Sequence, residues 1–216
     1  MKLNYKAIVF DLDGVICHTD QYHYKAWKAL ADKLQIYFDE EINNRLRGVS
    51  RMESLEIVLE NYKGTMLTEQ EKEQLAEEKN KLYIKLLEEM SQADLSSEVK
   101  GTLDQLREAG AKLAIGSSSK NARFILKQLG LSGYFDEISD GNNITRSKPD
   151  PEVFLKAGDY LGLPCKDCLV VEDAVAGVEA AIAGGMHCAA IGDAVKSNLA
   201  NYQLTTFSDL ITVVIK

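Results

Sequence analysis

The alternation of short apolar runs with helical stretches is the feature that most constrains the fold. The apolar runs span residues 7–10, 112–116, 167–171 and 186–191, and polar residues follow each of them directly or, after the last run, beyond one glycine. Helical periodicity predicts helices at roughly 98–109, 121–129, 151–161 and 174–184. Short continuous apolar strands with helices between them are typical of a parallel sheet that is covered on both faces. The sequence therefore predicts an α/β fold with a doubly wound, Rossmann-like parallel sheet.

The stretch from residue 17 to residue 91 breaks this alternation. It contains no comparable apolar run and has a helical pattern throughout, with capping-box signatures at 50–53 (SRME) and 68–71 (TEQE). We therefore expect a helical cap domain at 17–91, inserted into a core domain made of residues 1–16 and 92–216.

Composition limits the classes of partner. The 216 residues, with 45% hydrophobic and 27% charged side chains, suit one substantial soluble domain or a domain with an insert. The formal net charge of -8 argues against a nucleic-acid or anionic-membrane partner, but a few local cations could still hold a phosphorylated small molecule. Because we find neither a signal peptide nor an apolar stretch of membrane-spanning length, we expect a cytoplasmic protein. We also expect it to be a monomer that acts on a small molecule.

The cysteines offer one possible metal or redox motif. Cys165 and Cys168 form a C-x-x-C pair, which could be redox-active or half of a zinc site. A second C-x-x-C, or a Cys/His pair at zinc-finger spacing, is missing from the sequence. We therefore favour the alternative that these are ordinary thiols near the ends of strands.

Polar residues at the predicted strand ends indicate the position of a site. Ligands of open α/β sheets bind outside the carboxyl ends of the strands, so these residues should converge there. Crowded carboxylates need a cation, and Mg²⁺ suits a few carboxylates together with a substrate phosphate. Such a site fits phosphoryl transfer, which depends mostly on positioning and charge neutralisation. The residues concerned are Asp11, Asp13, Ser117, Glu172 and Asp173, with Lys148 just before a further helix.

The two aspartates that follow the first strand can divide the work. Asp11, at the strand end beside the ion, could attack phosphorus and become an aspartyl-phosphate. Asp13 points elsewhere and could exchange a proton with the sugar or alcohol oxygen. The alternative, a pair of ordinary loop aspartates, is disfavoured because three further polar segments should reach the same place.

The cap region carries charged residues with two interpretations each. Asp20 can cap a helix on which His23 shares a face with Trp27, either as a satisfied interfacial histidine or as a functional group. Lys79 falls on the apolar stripe of residues 75, 82, 86 and 90, either with its ammonium in water or aimed at a substrate. Arg51 stands at a helix start that favours phosphate, or in an ordinary exposed loop.

Four segments, in order, resemble the motifs of the haloacid dehalogenase superfamily of phosphotransferases. They are 10–15 (FDLDGV), 116–118 (GSS), 147–149 (SKP) and 171–173 (VED). Further segments in the cap and beside it resemble the sugar-phosphate mutases of that superfamily, and this likeness covers nearly the whole chain. Those segments are His23 with Trp27, 46–51 (LRGVSR), 79–80 (KN) and 117–121 (SSSKN).

The resemblance implies roles for the core residues. Asp11 would be the nucleophile and a Mg²⁺ ligand, and Asp13 the general acid/base, binding the ion through its main-chain carbonyl. Asp173, with Glu172 beside it, would complete the metal site. The residues implied to hold the transferred phosphoryl group are Ser117 and Lys148.

The resemblance also implies how substrate is held and how the cap acts. Thr19 and Lys79 would help to move Asp13 and His23 into place as the cap closes. Arg47 stands where the resemblance leads us to expect a lysine, and Ser118 where we expect an alanine. The residues implied to bind substrate are Trp27, Gly48, Val49, Ser50, Arg51, Ser119, Lys120 and Asn121.

The activity that this resemblance implies is a Mg²⁺-dependent phosphomutase reaction. It would interconvert β-D-glucose 1-phosphate and glucose 6-phosphate through β-glucose 1,6-bisphosphate and a phospho-aspartate enzyme. The alternative within the same superfamily is a Mg²⁺-dependent sugar-phosphate phosphatase, in which Asp13 activates water. A non-catalytic phosphosugar-binding protein is disfavoured because every catalytic position is filled.

Overall fold

Six parallel strands form a single sheet in the computed structural model, which describes residues 2–216. Their order across the sheet is β3-β2-β1-β4-β5-β6. The prediction of a doubly wound α/β fold is confirmed, although two short edge strands, β3 and β6, were not anticipated. The strands are β1 (Ala7–Phe10), β2 (Lys112–Gly116), β3 (Glu137–Ser139), β4 (Cys168–Glu172), β5 (His187–Ala190) and β6 (Tyr202–Gln203).

Strand β1 lies at the centre of the sheet, between β2 and β4. Its four residues are fully buried because helices cover both faces. Ile8 and Phe10 pack into one hydrophobic cluster, and Ala7 and Val9 pack into a second on the opposite face. A strand buried on both sides needs apolar side chains at every position, which explains why the sequence shows a continuous apolar run.

The direction of the strand order reverses at β1 and β4, so a crevice forms beyond their carboxyl ends. The register aligns Phe10 with Ile115 on one side and with Val171 on the other. The backbone N–H of Asp11 continues the ladder by donating to the Val171 carbonyl at 3.0 Å. The residues that follow these strands are therefore brought to one edge by the register of the sheet.

Helices α1 to α4 lie between β1 and the helix that leads into β2. Helix α4 packs against both α1 and α3, and the capping boxes predicted at Ser50 and Thr68 are present. We call helices α1 to α4 and the loops between them the cap, and the sheet with its other helices the core; the boundaries of a separate cap domain at 17–91 stay a prediction. The helices are α1 (Asp20–Lys33), α2 (Glu40–Asn44), α3 (Arg51–Leu59), α4 (Glu69–Leu87), α5 (Ser97–Glu108), α6 (Ala122–Gln128), α7 (Glu152–Leu161), α8 (Val175–Ala183) and α9 (Leu210–Val214).

Two local predictions for these helices are wrong. Thr19, not Asp20, is the N-cap of α1, and Asp20 is instead the first helical residue. Of the apolar stripe predicted on α4, Leu75, Leu82 and Leu86 are only half-buried, and only Met90, just beyond the end of the helix, is buried. Most of the buried side chains of α4 lie one position further along the helix, because the polar ones among them face a cavity between these helices and the sheet. The buried residues of the helix are Ala76, Lys79, Asn80, Tyr83 and Leu87.

Within residues 2–216, no helix combines the length and the apolar character that crossing a membrane requires.

Candidate active site

A group of buried carboxylates lies at the carboxyl ends of β1 and β4. Asp11 follows β1, Glu172 ends β4, and Asp173 follows it. One oxygen from each of the three lies within 4.8 Å of the others. Lys148, only 1% exposed, reaches the same place from the loop before α7, and its Nζ lies 2.5 Å from both Asp11 Oδ1 and Glu172 Oε1. The sequence-predicted convergence of these segments is thus what the fold produces.

Two glycines allow the chain to pass close to this acidic cluster. A Cβ at Gly14, where φ is +89°, would collide with the Asp173 carboxylate. A Cβ at Gly177 would collide in the same way with the Glu172 carboxylate. Glu172 is further held by the backbone N–H of Ala174, which donates to Oε2 at 2.8 Å. The backbone therefore lies directly against the carboxylates of Glu172 and Asp173, and it also donates a hydrogen bond to Glu172.

Burial sets the protonation behaviour of the cluster. It raises the pKa of Asp11 to about 7, although the Lys148 ammonium opposes the shift. Burial, with the neighbouring charges of Glu172 and Asp11, raises the pKa of Asp173 to about 8. Burial alone would lower the pKa of Lys148, but the Asp11 and Glu172 charges outweigh it and raise that pKa. The lysine thus stays charged, while the carboxylates lack enough positive charge around them.

The excess of negative charge in this cluster fits a site for a divalent cation. Three buried carboxylates, with one oxygen each within 4.8 Å of the others, offer the hard oxygen ligands that Mg²⁺ prefers. Asp11, Glu172 and Asp173 are therefore the residues that would hold it. The carboxylate of Asp13 is not part of this cluster, so the predicted contribution of its main-chain carbonyl stays a prediction.

We expect the raised pKa of Asp173 to make stability fall with pH in EDTA. Between its ordinary value of 3.8 and about 8 the folded state holds a proton that the unfolded state has lost. The stability from this group is therefore present at low pH and disappears as pH rises through the folded pKa. Urea unfolding should show Asp173→Asn gaining stability relative to the natural protein between about pH 4 and about pH 8.

Adding Mg²⁺ at pH 8 supplies the control, because it should stabilise the natural protein and not Asp173→Asn. A stability difference between the two proteins that stays constant from pH 4 to pH 8 would contradict the prediction.

Asp13 lies apart from the cluster and is held by the start of the cap. The Thr19 hydroxyl donates to Asp13 Oδ1. Burial raises the pKa of Asp13 to about 6, while this hydrogen bond works in the opposite direction. A carboxyl that titrates near neutral pH is suited to exchanging protons. Thr19 is also the N-cap of α1, so Asp13 is tied directly to the first helix of the cap.

Ser117 and the segment after it complete the core side of the site. Ser117 follows β2 and is 2% exposed. Its hydroxyl accepts a hydrogen bond from the Ser119 backbone N–H at 3.2 Å, and the Ser119 hydroxyl accepts one from Asn121 at the same distance. These bonds fold the segment into a tight turn at the mouth of the site.

A cavity of about 530 Å³ joins these core residues to the cap helices. All the site residues that the sequence predicts line it except Thr19, which lies behind Asp13. Arg51 begins α3 as predicted, with its guanidinium 3.7 Å from Glu77. The Asn121 side chain donates to Asn80 Oδ1 at 2.9 Å across the cavity. Because Asn121 is in the core and Asn80 is on α4, this bond connects the two sides.

Lys79 is buried at the cap side of the cavity, so the interpretation with its ammonium in water is wrong. The residue is 4% exposed, and its Nζ lies 3.0 Å from His23 Nδ1. It also lies 4.5 Å from the ring centroids of Trp27 and Tyr83. Burial, with added repulsion from Arg51, lowers the pKa of Lys79 well below its usual range. Burial and the Lys79 charge lower that of His23 in the same way.

Three residues of the site receive no role from the sequence alone. Tyr83 stacks on His23 with ring centroids 4.0 Å apart, and Asn80 reaches the core through Asn121. Both lie on the buried face of α4, which the sequence pattern predicts one residue too early in the helix. Arg47, noted only as a departure from the expected lysine, bonds to Asp173 with its Nη2 2.7 Å from Oδ2.

The C-x-x-C cysteines lie at the opposite end of the sheet. Cys168 begins β4, whereas Glu172 ends it, and Cys165 lies in the turn before that strand. The Cys168 thiol donates to the Pro164 carbonyl at 3.7 Å. Among residues 2–216, the acidic cluster is the one His/Cys/Asp/Glu group with metal-binding spacing, which favours ordinary thiols at Cys165 and Cys168.

Buried carboxylates and a lysine at the switch point of a doubly wound sheet, facing a helical cap, define an α/β enzyme of the phosphate-transferring class. The haloacid dehalogenase-like hydrolase family matches residues 5–185, and the chain belongs to that family. The resemblance seen in the four sequence motifs is thereby confirmed.

The chain is also similar to individual proteins. The chain is 40% identical to the beta-phosphoglucomutase of Bacillus subtilis over 188 residues, which is 87% of this chain and 83% of that protein. It is 30% identical to a phosphorylated carbohydrates phosphatase of Thermotoga maritima, covering 84% and 82% of the two chains. Its fold superposes on the crystal structure of beta-phosphoglucomutase from Clostridium difficile with a TM-score of 0.90, at 38% identity, covering 95% and 93%.

Proposed function

We propose that this protein is a β-phosphoglucomutase, interconverting β-D-glucose 1-phosphate and glucose 6-phosphate. The observation that carries the proposal is that Asp13, the acid/base candidate, is held by Thr19 at the start of the cap. A phosphomutase needs this connection, because its acid/base must act on sugar and remain withheld from water. The 40% identity to a beta-phosphoglucomutase supports the same function.

Asp11 performs the phosphoryl transfer in this mechanism. Its Oδ1 is held by Lys148 at 2.5 Å, which leaves the second carboxylate oxygen to attack phosphorus and form an aspartyl-phosphate. Lys148 and the Ser117 hydroxyl hold the oxygens of the group in transit. When bound by Asp11, Glu172 and Asp173, Mg²⁺ would supply the remaining positive charge for that group.

Asp13 moves the protons of the two half-reactions. It takes the proton of the sugar 6-hydroxyl as that oxygen accepts the phosphoryl group from phospho-Asp11, which yields β-glucose 1,6-bisphosphate. After the bisphosphate has turned over, Asp11 attacks the phosphorus at carbon 1. Asp13 then returns the proton to the departing oxygen, and glucose 6-phosphate is released.

The cap makes sugar phosphate a better acceptor than water. Arg51 lines the cavity from the cap side, and the turn from Ser119 to Asn121 lines it from the core side. Both would bind the phosphate that is not being transferred. Closure would bring Lys79 and His23 toward Asp13 and free it from Thr19. Binding energy from the distant phosphate is thereby used to assemble the catalytic group.

The reaction products provide the decisive test. The protein would be given β-glucose 1-phosphate, Mg²⁺ and a trace of β-glucose 1,6-bisphosphate, and both glucose 6-phosphate and free phosphate would be followed. We expect glucose 6-phosphate to form in large excess over phosphate. Stoichiometric free phosphate without isomerisation would instead establish a sugar-phosphate phosphatase, the activity class of the Thermotoga maritima relative.

Arg51→Ala is the informative variant in this assay. If Arg51 grips the distant phosphate, the variant should lose sugar-phosphate turnover far more than the slow loss of phosphate from phospho-Asp11. An equal loss of both would make Arg51 merely structural.

We further propose that the enzyme works as a cytoplasmic monomer on small sugar phosphates, with a cap domain at 17–91. Its net charge of -8 supports solubility without a nucleic-acid partner. Light scattering and cell fractionation would test these points.

A further inference from the structure

Arg47 joins the cap side of the cavity to the acidic cluster. It lies between α2 and α3, and its guanidinium meets carboxylates from three different places. Nη2 lies 2.7 Å from Asp173 Oδ2 and 3.1 Å from Asp20 Oδ2, and Nη1 lies 3.3 Å from Asp193 Oδ2. Asp173 and Asp193 belong to the core, whereas Asp20 opens α1. One side chain therefore fastens the cap to two points of the core.

The two core partners of Arg47 differ in how far they are exposed to solvent. The Asp193 side chain is 65% exposed, so its ion pair with Arg47 is weak. The Asp173 side chain is 6% exposed and belongs to the carboxylate group that would hold a divalent cation. The strong contact of Arg47 is thus made with a proposed metal ligand.

Positive charge at this cluster is limited. Asp11, Glu172 and Asp173 together can carry three negative charges, and Lys148 and Arg47 are the cations in contact with them. Lys148 is buried between Asp11 and Glu172 and belongs to the core. Arg47 is the cation that comes from the cap, so its contribution depends on where the cap lies.

We propose, on the basis of the cation site in the proposed function, that Arg47 is a positioning residue that makes cap docking and divalent-cation binding compete for Asp173. With the guanidinium on Asp173, the cap is fastened down and the cluster is partly neutralised. When a divalent cation takes over the neutralisation of Asp173, that fastening weakens, and the cap is free to open to sugar phosphate and then to close on it, which is the movement that takes Asp13 off Thr19. The coupling is reciprocal, so a cap fastened through Arg47 and Asp173 must weaken cation binding to the same degree.

An arginine suits this role better than the lysine expected from the family resemblance. A guanidinium has five N–H donors in a planar fork and can contact three carboxylates at once, whereas an ammonium is a compact point charge. On leaving Asp173, the same side chain can keep Asp20 and Asp193. The cap would then loosen without losing every contact to the core.

Calorimetric titration with MgCl₂, in the absence of any sugar phosphate, tests the competition directly. Arg47→Gln should bind Mg²⁺ about tenfold more tightly than the natural protein, because it removes a unit charge a few ångströms from a divalent cation. The Mg²⁺ affinity of Arg47→Lys should lie between those of Arg47→Gln and the natural protein. Lys196→Ala is the matched control, since Lys196 lies 2.6 Å from Asp193 but does not touch the cluster, and its Mg²⁺ affinity should be unchanged.

Cap position is the second measurement. Nitroxide labels at Met66→Cys on the cap and Tyr160→Cys on the core, in a Cys165→Ser background, report the separation of the two sides by pulsed EPR. Met66 is 97% exposed and Tyr160 is 45% exposed, so both positions accept a label. Mg²⁺ should lengthen the separation in the natural protein. In Arg47→Gln the longer separation should be present without Mg²⁺ and should not change on titration.

Unchanged or weaker Mg²⁺ binding by Arg47→Gln would overturn the proposal, and so would a label separation that ignores both Mg²⁺ and the substitution. Failure of every variant to bind Mg²⁺ would overturn the cation site together with it. Because no sugar phosphate is present, a negative result in the mutase assay leaves these measurements unaffected.

Discussion

Asp11→Asn should abolish phosphoryl transfer while leaving the protein folded. Asparagine keeps the size and the hydrogen-bond acceptor of Asp11, but its amide cannot form an aspartyl-phosphate. The loss in kcat should be about 10⁴-fold or more, the order seen when the nucleophile of an enzyme that uses covalent catalysis is removed. Stability should not fall, since burial raises the pKa of Asp11 to about 7 and its charge is therefore unfavourable in the folded state.

The measurement pairs turnover of β-glucose 1-phosphate with detection of the phosphoenzyme by mass spectrometry. The natural protein should take up a phosphoryl group from β-glucose 1,6-bisphosphate, and Asp11→Asn should not. Asp159→Asn, which makes the same change on the exposed side of α7, should behave like the natural protein. Substantial turnover by Asp11→Asn would require a different nucleophile and a different mechanism.

The part of the site that follows from strand ends could be predicted from the sequence alone. Strands β1, β2, β4 and β5 begin and end within one residue of the apolar runs, because a strand buried on both faces must be apolar throughout. Parallel strands then bring their carboxyl ends to one edge. Asp11 and Glu172 meet there because of this register and not because of any further property of the residues themselves.

Edge strands carry a weaker signal. Strand β3 has three residues and β6 has two, and neither is buried on both faces. A sheet edge needs no continuous apolar run, so nothing in the sequence distinguishes these segments from loops.

Contacts between the cap and the core could not be predicted. Arg47 reaches Asp173, which is 126 positions away, and no local pattern contains that information. The buried face of α4 was misjudged for the same reason, because it is determined by the cavity that the helix faces. A lysine on that face is normally solvated, and the contacts of its ammonium with His23, Trp27 and Tyr83 explain why Lys79 is buried.

Lys148→Met should be the substitution near the cluster that costs most stability. Lys148 is 1% exposed, with Asp11 and Glu172 each 2.5 Å from its ammonium, so methionine would leave two buried carboxylates without their cation. Removing one partner of a buried ion pair costs about 3–5 kcal/mol in the free energy of unfolding. Urea unfolding in EDTA at pH 8 should show a loss of that size. Turnover should also collapse, because the phosphoryl group in transit loses its fixed cation.

The pH dependence identifies charge as the cause. Without Lys148 the Asp11 carboxyl should hold its proton to a still higher pH than the pKa of about 7 that it has in the natural protein. At pH 5 it would be neutral in the folded state, so much of the lost stability should return, and it should be lost again as pH rises through the folded pKa of Asp11. Lys112→Met, at the far end of β2, should show no such dependence, since the Lys112 side chain bonds only to the Leu161 carbonyl.

An equal destabilisation by Lys148→Met at pH 5 and pH 8 would assign the effect to packing. If charge is the cause, Mg²⁺ at pH 8 should restore part of the stability and little of the activity, because a cation can neutralise the cluster without replacing the lysine that holds Asp11 in place.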